Sequence, residues 1–196
     1  MSQVTVRTRR DLVTDALAAA PARRVVAIAV FVLLTAVGAR LSVPLPGLVP
    51  VSLQTLVVLL AGLLLGPALG ASAMAAYLLA GMAGLPMFVG GGGVAYLFGP
   101  TGGYLLAFPA AAAVTGALAA RVSGDGITRA AGLALAATVG SIIVFIGGWA
   151  QLSLYLGDAG AAVTAGVVPF LAGSVAKIAV AVAIALKLGR PSASSL

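Results

Sequence analysis

Apolar residues come in long runs along this chain, punctuated by glycine, proline and charge. The runs cover residues 25–41, 51–65, 69–89, 103–120, 130–149 and 167–188. Each approaches the ~20 residues a helix needs to cross the hydrocarbon core of a bilayer, so the pattern predicts six spanning helices. The breaks set their ends. Residues 42–50 hold Pro44, Pro46 and Pro50, which forbid helix and leave a stiff, extended loop. Gly66-Pro67 predicts a turn. Gly90-Gly91-Gly92-Gly93 predicts the most flexible point of the chain, a hinge for a lid. Gly99-Pro100-Thr101-Gly102-Gly103-Tyr104 opens the fourth run, and 150–166 reads as a connection with partial helix. Pro169 is acceptable in the first turn of the last run. The breaks gather on one side of the bundle, and irregular backbone at membrane depth marks binding cavities in transporters.

Composition turns these runs into a class. Of 196 residues, 62% are hydrophobic and 8% charged, with mean hydropathy +1.20. Soluble domains average about 25% charged residues, so this is an integral membrane protein. The predicted architecture is all-α: a six-transmembrane-helix bundle over residues 25–188, a cytoplasmic or interfacial segment at 1–24, and a cytoplasmic tail at 189–196. The run at 25–41 leads into Arg40 and a proline-rich loop, not a small-residue cleavage site, so it reads as a first span and not a signal peptide.

The net charge of +7 raises nucleic acid as a partner, but its distribution argues for membrane topology. Arg7, Arg9, Arg10, Arg23, Arg24, Arg121, Arg129, Lys187 and Arg190 all fall on one side of a six-span arrangement, nine of the eleven basic residues. The positive-inside rule then puts both termini in the cytoplasm of a multi-pass protein of the cell membrane, with Arg40 outside. The chain has no Cys, His or Glu, and four Asp. That leaves almost nothing for acid–base catalysis or metal ligation, so neither an enzyme nor a metal or other cofactor is expected.

One cation is out of place. Lys177 sits inside the last apolar run, about ten residues from either end and too deep to reach the headgroups comfortably. A charge there is costly and is normally paired or kept for a ligand. Ser174, three residues earlier, shares its helix face. Gln54 is a polar side chain near the outer end of the second run, explained almost as well by an interhelical bond as by a ligand. Tyr77, Tyr96, Tyr104, Trp149 and Tyr155 read either as an interfacial belt or as pocket wall, Tyr77 being the least belt-like. The glycine cluster lacks the Gly-Lys-Ser/Thr of a phosphate loop.

Several stretches, taken in order, resemble the BioY family, the biotin-specific substrate-binding (S) components of energy-coupling factor (ECF) transporters. They are Pro44-Leu45-Pro46, then Val49-Pro50-Val51-Ser52-Leu53-Gln54-Thr55-Leu56, Leu60-Ala61-Gly62 and Leu65-Gly66-Pro67. Tyr77-Leu78-Leu79, Gly81, Gly84-Leu85-Pro86-Met87-Phe88 and the two glycine-rich stretches follow, and last Pro169-Phe170-Leu171 with Gly173 and Lys177. The resemblance implies a six-helix bundle that binds biotin from outside and assembles with a transmembrane coupling subunit and two ATPase subunits. It implies ligand contacts at Lys177, Ser174, Gln54, Tyr77, Phe88, Thr101 and Tyr104, with Arg40 a candidate for the exposed end of the ligand. Ala36, Gly38 and Ala39, the small residues of the first span, would face the coupling subunit. One position departs from the pattern: the family's last span resembles Pro-Phe-x-x-Gly-Asp-x-x-Lys, and here the Asp position is Ser174. A serine cannot neutralise the lysine. Whether Lys177 meets the ureido oxygen or the carboxylate of biotin stays open at this level. So do an S component for another vitamin and a ligand-free membrane assembly protein.

Overall fold

The computed structural model describes residues 21–43 and 48–188. Pro44, Leu45 and Pro46 of the first loop, residues 1–20 of the expected N-terminal segment and the tail at 189–196 lie outside the described residues. The helices are α1 (Pro21–Arg40), α2 (Gln54–Met82), α3 (Gly102–Ala119), α4 (Gly126–Leu156), α5 (Ala159–Gly166) and α6 (Leu171–Leu188). Between α1 and α2, strands β1 (Ser42–Val43) and β2 (Val51–Ser52) pair antiparallel. Short 3-10 turns at Val94–Phe98 and Val168–Phe170 lead into α3 and α6. Pro169 therefore occupies a 3-10 turn before α6, where its missing N–H costs no helical bond, and not the first turn of the helix itself.

Among the described residues, five stretches are long and apolar enough to cross a membrane, counting Ala159–Leu188 as one. The sequence predicts six, and the difference sits in α2. Gly66 interrupts it at φ 81° and ψ −177°, a conformation that favours glycine, and Pro67 follows. Gln54 and Tyr77 lie 23 residues apart yet meet at 2.6 Å. A straight helix would hold them about 35 Å apart. α2 is thus two helical segments folded back on each other at Gly66-Pro67, where the sequence predicts a turn. α4 runs past the expected end at 149 to Leu156 and so carries Gln151 on a helix; α5 is the partial helix expected beyond it.

Lipid tails are as apolar as leucine, so helices in a bilayer gain little from hydrophobic burial and hold together by close packing. Small residues supply it. A Cβ on Gly62 of α2 would stand 2.6 Å from the Ala112 carbonyl of α3, and one on Gly147 of α4 would stand 2.7 Å from the Gly103 carbonyl. α6 closes the bundle with Ala181, Val182 and Ala185 against Leu59, Leu63 and Ala137.

The same packing absorbs the small face of α1. Gly38 and Ala39 are buried, and a Cβ on Gly38 would lie 3.1 Å from the backbone at Leu53 and Gln54. Ala36 packs half-buried against the central core. Of the residues expected to face a partner subunit, Gly38 and Ala39 are used within the chain, because the start of α2 approaches α1 at that point. The outward side of α1 presents Val26, Val30, Leu33, Leu34 and Val37 instead.

Candidate functional site

A cavity opens at the end of the bundle that carries the β1–β2 pair and both 3-10 turns. Its cavity volume is about 60 Å³, well below the ~300–1,000 Å³ usual for small-molecule sites. Val49, Pro50 and Ser52 of the first loop and strand form one side, with Gln54 and Thr55 from the start of α2. Val89 and Tyr96 come from the segment before α3, and Thr101, Tyr104, Leu105 and Phe108 from α3 and its start. Val144 and Phe145 of α4 and Phe170, Ser174 and Lys177 of the last turn and helix complete the wall. Lys177 lies six residues into α6, about 9 Å along its axis.

The polar groups divide into those already engaged and those free. Ser52 donates from Oγ to Gln54 Oε1 (3.0 Å), and Gln54 Nε2 donates to Tyr77 Oη (2.6 Å). Tyr77 Oη donates in turn to the Met87 carbonyl (2.8 Å). Gln54 thus reaches the cavity in a fixed orientation. Tyr104 Oη donates to the Gly166 carbonyl (2.7 Å), fastening α3 to the end of α5. By contrast, the side chains of Thr55, Thr101, Ser174 and Lys177 make no hydrogen bond or ion pair with any other described residue. The result is a mostly apolar cavity with a held carboxamide, free hydroxyls and one ammonium. That set suits a small ligand carrying hydrogen-bonding groups and an acidic end; it offers no nucleophile–base pair and no cluster able to ligate a metal among the described residues.

Of the eight residues expected to meet a ligand, the structure brings five together: Gln54, Thr101, Tyr104, Ser174 and Lys177. The other three stand off the lining. Tyr77 is fully buried and lies behind Gln54, so it orients the lining without forming it. Phe88 is also fully buried, turned against Gly81 and set edge-on to Tyr77 with ring centroids 5.7 Å apart. Arg40 does not line the cavity: its Nη2 donates to the Pro86 carbonyl at 2.6 Å, on the exposed surface. The lining also contains residues that sequence reasoning passed over. Ser52 and Thr55 flank Gln54 in the motif, so each had a local signal; Tyr96, also in the lining, is one of the aromatics that the sequence reads as belt or pocket wall. Phe108, Val144, Phe145 and Phe170 look like core and had none.

The glycine cluster is not a free hinge. The Gly93 amide donates to the Gly81 carbonyl (2.7 Å), Phe88 and Gly91 exchange backbone bonds (2.8 and 3.2 Å), and the Gly90 amide donates to Tyr96 Oη (3.2 Å). A Cβ on Gly92 would collide with the Leu85 carbonyl. These glycines serve close backbone approach and positive φ at Gly91 and Gly93, and with Tyr77 and Arg40 they strap the segment that carries Val89 to the bundle. On the other side, Gln151 Nε2 donates to the carbonyls of Leu97 (2.6 Å) and Gly99 (2.7 Å), holding the turn that presents Tyr96 and Thr101.

Comparison with known proteins places this geometry. Residues 8–193 match the profile of the BioY family. The chain is 40% identical to the probable biotin transporter BioY of Pyrococcus horikoshii, over 85% of this chain and 96% of that one. It is 38% identical to the biotin transporter BioY of Thermotoga maritima, over 85% and 95%. Among solved structures it resembles the S-component for biotin from an ECF-type ABC transporter, with TM-score 0.77 and 26% identity, over 86% of this chain and 91% of that chain. The match to the family profile covers nearly the whole chain, and the relatives are matched over nearly their whole length. The chain belongs to the BioY family.

Proposed function

We propose that this chain is the membrane-embedded biotin-binding component of a biotin-uptake system, a transport component and not an enzyme. Biotin binds from outside, in the cavity that Lys177 and Gln54 line. The observation that carries this reading is Lys177 itself: an ammonium without a partner among the described residues, in an otherwise neutral and largely apolar cavity, in a fold shared with an S-component for biotin. Biotin supplies what such a cavity lacks: an apolar bicycle and chain for the aromatic walls, a ureido group for the hydroxyls and carboxamide, and a carboxylate.

We further propose six crossings of the plasma membrane with both termini cytoplasmic. The reversal of α2 at Gly66 supports the sixth crossing. Arg121 lies between α3 and α4, Arg129 in the first turn of α4 and Lys187 at the end of α6, away from the cavity, which supports an outward-facing site under the positive-inside rule. The chain works with an ECF transmembrane coupling subunit and two ATPase subunits, since nothing in its sequence resembles a nucleotide site.

Cells unable to make biotin, expressing this chain with and without ECF coupling and ATPase subunits, test the proposal. Saturable uptake of labelled biotin that needs the coupling subunits is expected. Uptake no greater than in cells lacking the chain, with the protein present in the membrane, contradicts it. Ser174, where the family pattern has Asp, favours one second reading, an S component for another vitamin; competition by other vitamins in the same assay separates the two.

A further inference from the structure

The cavity shares one wall with the outer surface of the bundle. Beyond the turn that runs from Val94 to Thr101 lies an open groove of about 760 Å³, between α3 and α4. Tyr96 and Thr101 of this turn line the cavity, while Leu97 and Phe98 line the groove. α4 contributes Ala150, Gln151 and Leu154 to the groove. The turn is fastened differently at its two ends. At its start, the Tyr96 ring packs on Phe88 (centroids 5.0 Å apart) and its hydroxyl accepts from the Gly90 amide, which ties this end to the strapped segment. Leu97 then plugs into the central core. Over Leu97–Thr101, apart from the local backbone bonds that lead into α3, the hydrogen bonds among the described residues are the two that Gln151 Nε2 donates to the carbonyls of Leu97 and Gly99. Both N–H bonds of that nitrogen are used. Glycine makes room for it: a Cβ on Gly102 would stand 2.6 Å from Gln151 Nε2, and one on Gly103 would stand 2.7 Å from the Gln151 Cβ.

Resting on the proposed function, we infer that Gln151 is a positioning residue of the biotin site: it latches the stretch Phe98–Thr101, and ligand enters and leaves when that latch opens and the stretch yields towards the groove. A cavity of about 60 Å³ takes a ligand of biotin's size only when a wall moves. Other walls have packed side chains behind them. Leu105, Phe108 and Val144 belong to the central core, and Phe170 packs with Val49 and Leu152. A close-packed interior gives up little volume. Behind Phe98–Thr101 lies the groove instead, where Phe98 is 78% exposed and fluid lipid tails give way. Thr101, which carries a free hydroxyl into the cavity, moves with this stretch. Gln151 thus acts on the ligand without touching it, by setting where Thr101 stands and how often the wall opens.

Stopped-flow measurement of biotin association and dissociation tests this on the purified protein, with Gln151→Met and Ala150→Leu beside the wild type. Gln151→Met keeps the length and bulk of the side chain and removes both donated bonds. Association and dissociation should both become faster, by about tenfold, the scale of two interhelical hydrogen bonds. Ala150→Leu adds bulk to the groove at an exposed position and should slow both several-fold. A merely structural role for Gln151 would lower the yield of folded protein or speed dissociation alone; it would not speed association. The Ala150→Leu arm keeps the test decisive should Gln151→Met fail to fold. Association that Gln151→Met does not accelerate, or rates that Ala150→Leu leaves unchanged, overturns the latch and leaves the proposed function standing. A folded wild type that binds no biotin overturns the proposed function itself.

Discussion

Gln54 Nε2 and Tyr77 Oη meet at 2.6 Å across a chain reversal, joining the two halves of α2 at their cavity ends. The bond does three things at once. It closes the antiparallel pair opened at Gly66, it holds the Gln54 carboxamide in one orientation towards the cavity, and through the Met87 carbonyl it ties that carboxamide to the strapped segment bearing Val89.

Tyr77→Phe removes the acceptor of Gln54 and the donor to Met87 without touching the lining. Interhelical hydrogen bonds in membranes are worth about 0.6 kcal/mol on average and up to ~2. The variant should unfold a few degrees lower and bind biotin several-fold more weakly, its bound ligand still protecting the cavity. Thermal unfolding and calorimetric titration measure both. A variant with unchanged affinity would show that Gln54 needs no such support.

The strapped segment makes a prediction opposite to the one its glycines invite. The amide of Gly93 donates to Gly81 and that of Gly91 to Phe88, so both should exchange slowly with deuterium even without ligand. Gly92→Ala should destabilise the protein, because its methyl meets the Leu85 carbonyl. Fast exchange at both amides together with a harmless Gly92→Ala would restore the hinge.

Why this segment misleads is physical. Glycine is chosen both where the chain must flex and where backbones must touch, and a sequence writes the two cases identically. Lys177, Ser174 and Gln54 were legible for the opposite reason: a polar side chain inside an apolar run is costly wherever it points, so its presence alone asks for a partner. Thr101 and Tyr104 came through the family resemblance. Phe108, Phe145 and Phe170 were not legible, since an aromatic facing a cavity and one facing the core differ only in what lies opposite. Arg40 and Tyr77 are the converse case, polar groups near the site whose hydrogen bonds to Pro86 and Met87 hold the segment beside it. The long apolar helices and the turn at Gly66-Pro67 were legible from apolar length and from backbone chemistry; the inward use of Gly38 and Ala39 was not, because small residues suit any close helix contact.

The absence of cysteine makes topology directly testable. Single cysteines replacing Leu48, Ala68 and Ser123 sit at exposed positions of the first loop, just past the α2 reversal, and between α3 and α4. A membrane-impermeant maleimide applied to intact cells should label Leu48→Cys only, and should label Ala68→Cys and Ser123→Cys once the membrane is opened. Labelling of Ala68→Cys from outside would contradict the reversal at Gly66 as a cytoplasmic turn.

The central claim is that this cavity binds biotin through Lys177, and equilibrium titration of biotin into the detergent-purified protein tests it most directly, with Lys177→Met measured beside the wild type. Loss of a charge-assisted contact of about 1.5–3 kcal/mol predicts affinity lowered roughly 10- to 150-fold in the variant, with thermal stability kept or raised because an unpaired cation has left the bundle. Saturable wild-type binding that falls by that factor is the expected result. Wild-type binding that Lys177→Met leaves unchanged would place biotin away from this lysine, and a folded wild type that binds no biotin would contradict the account at its root.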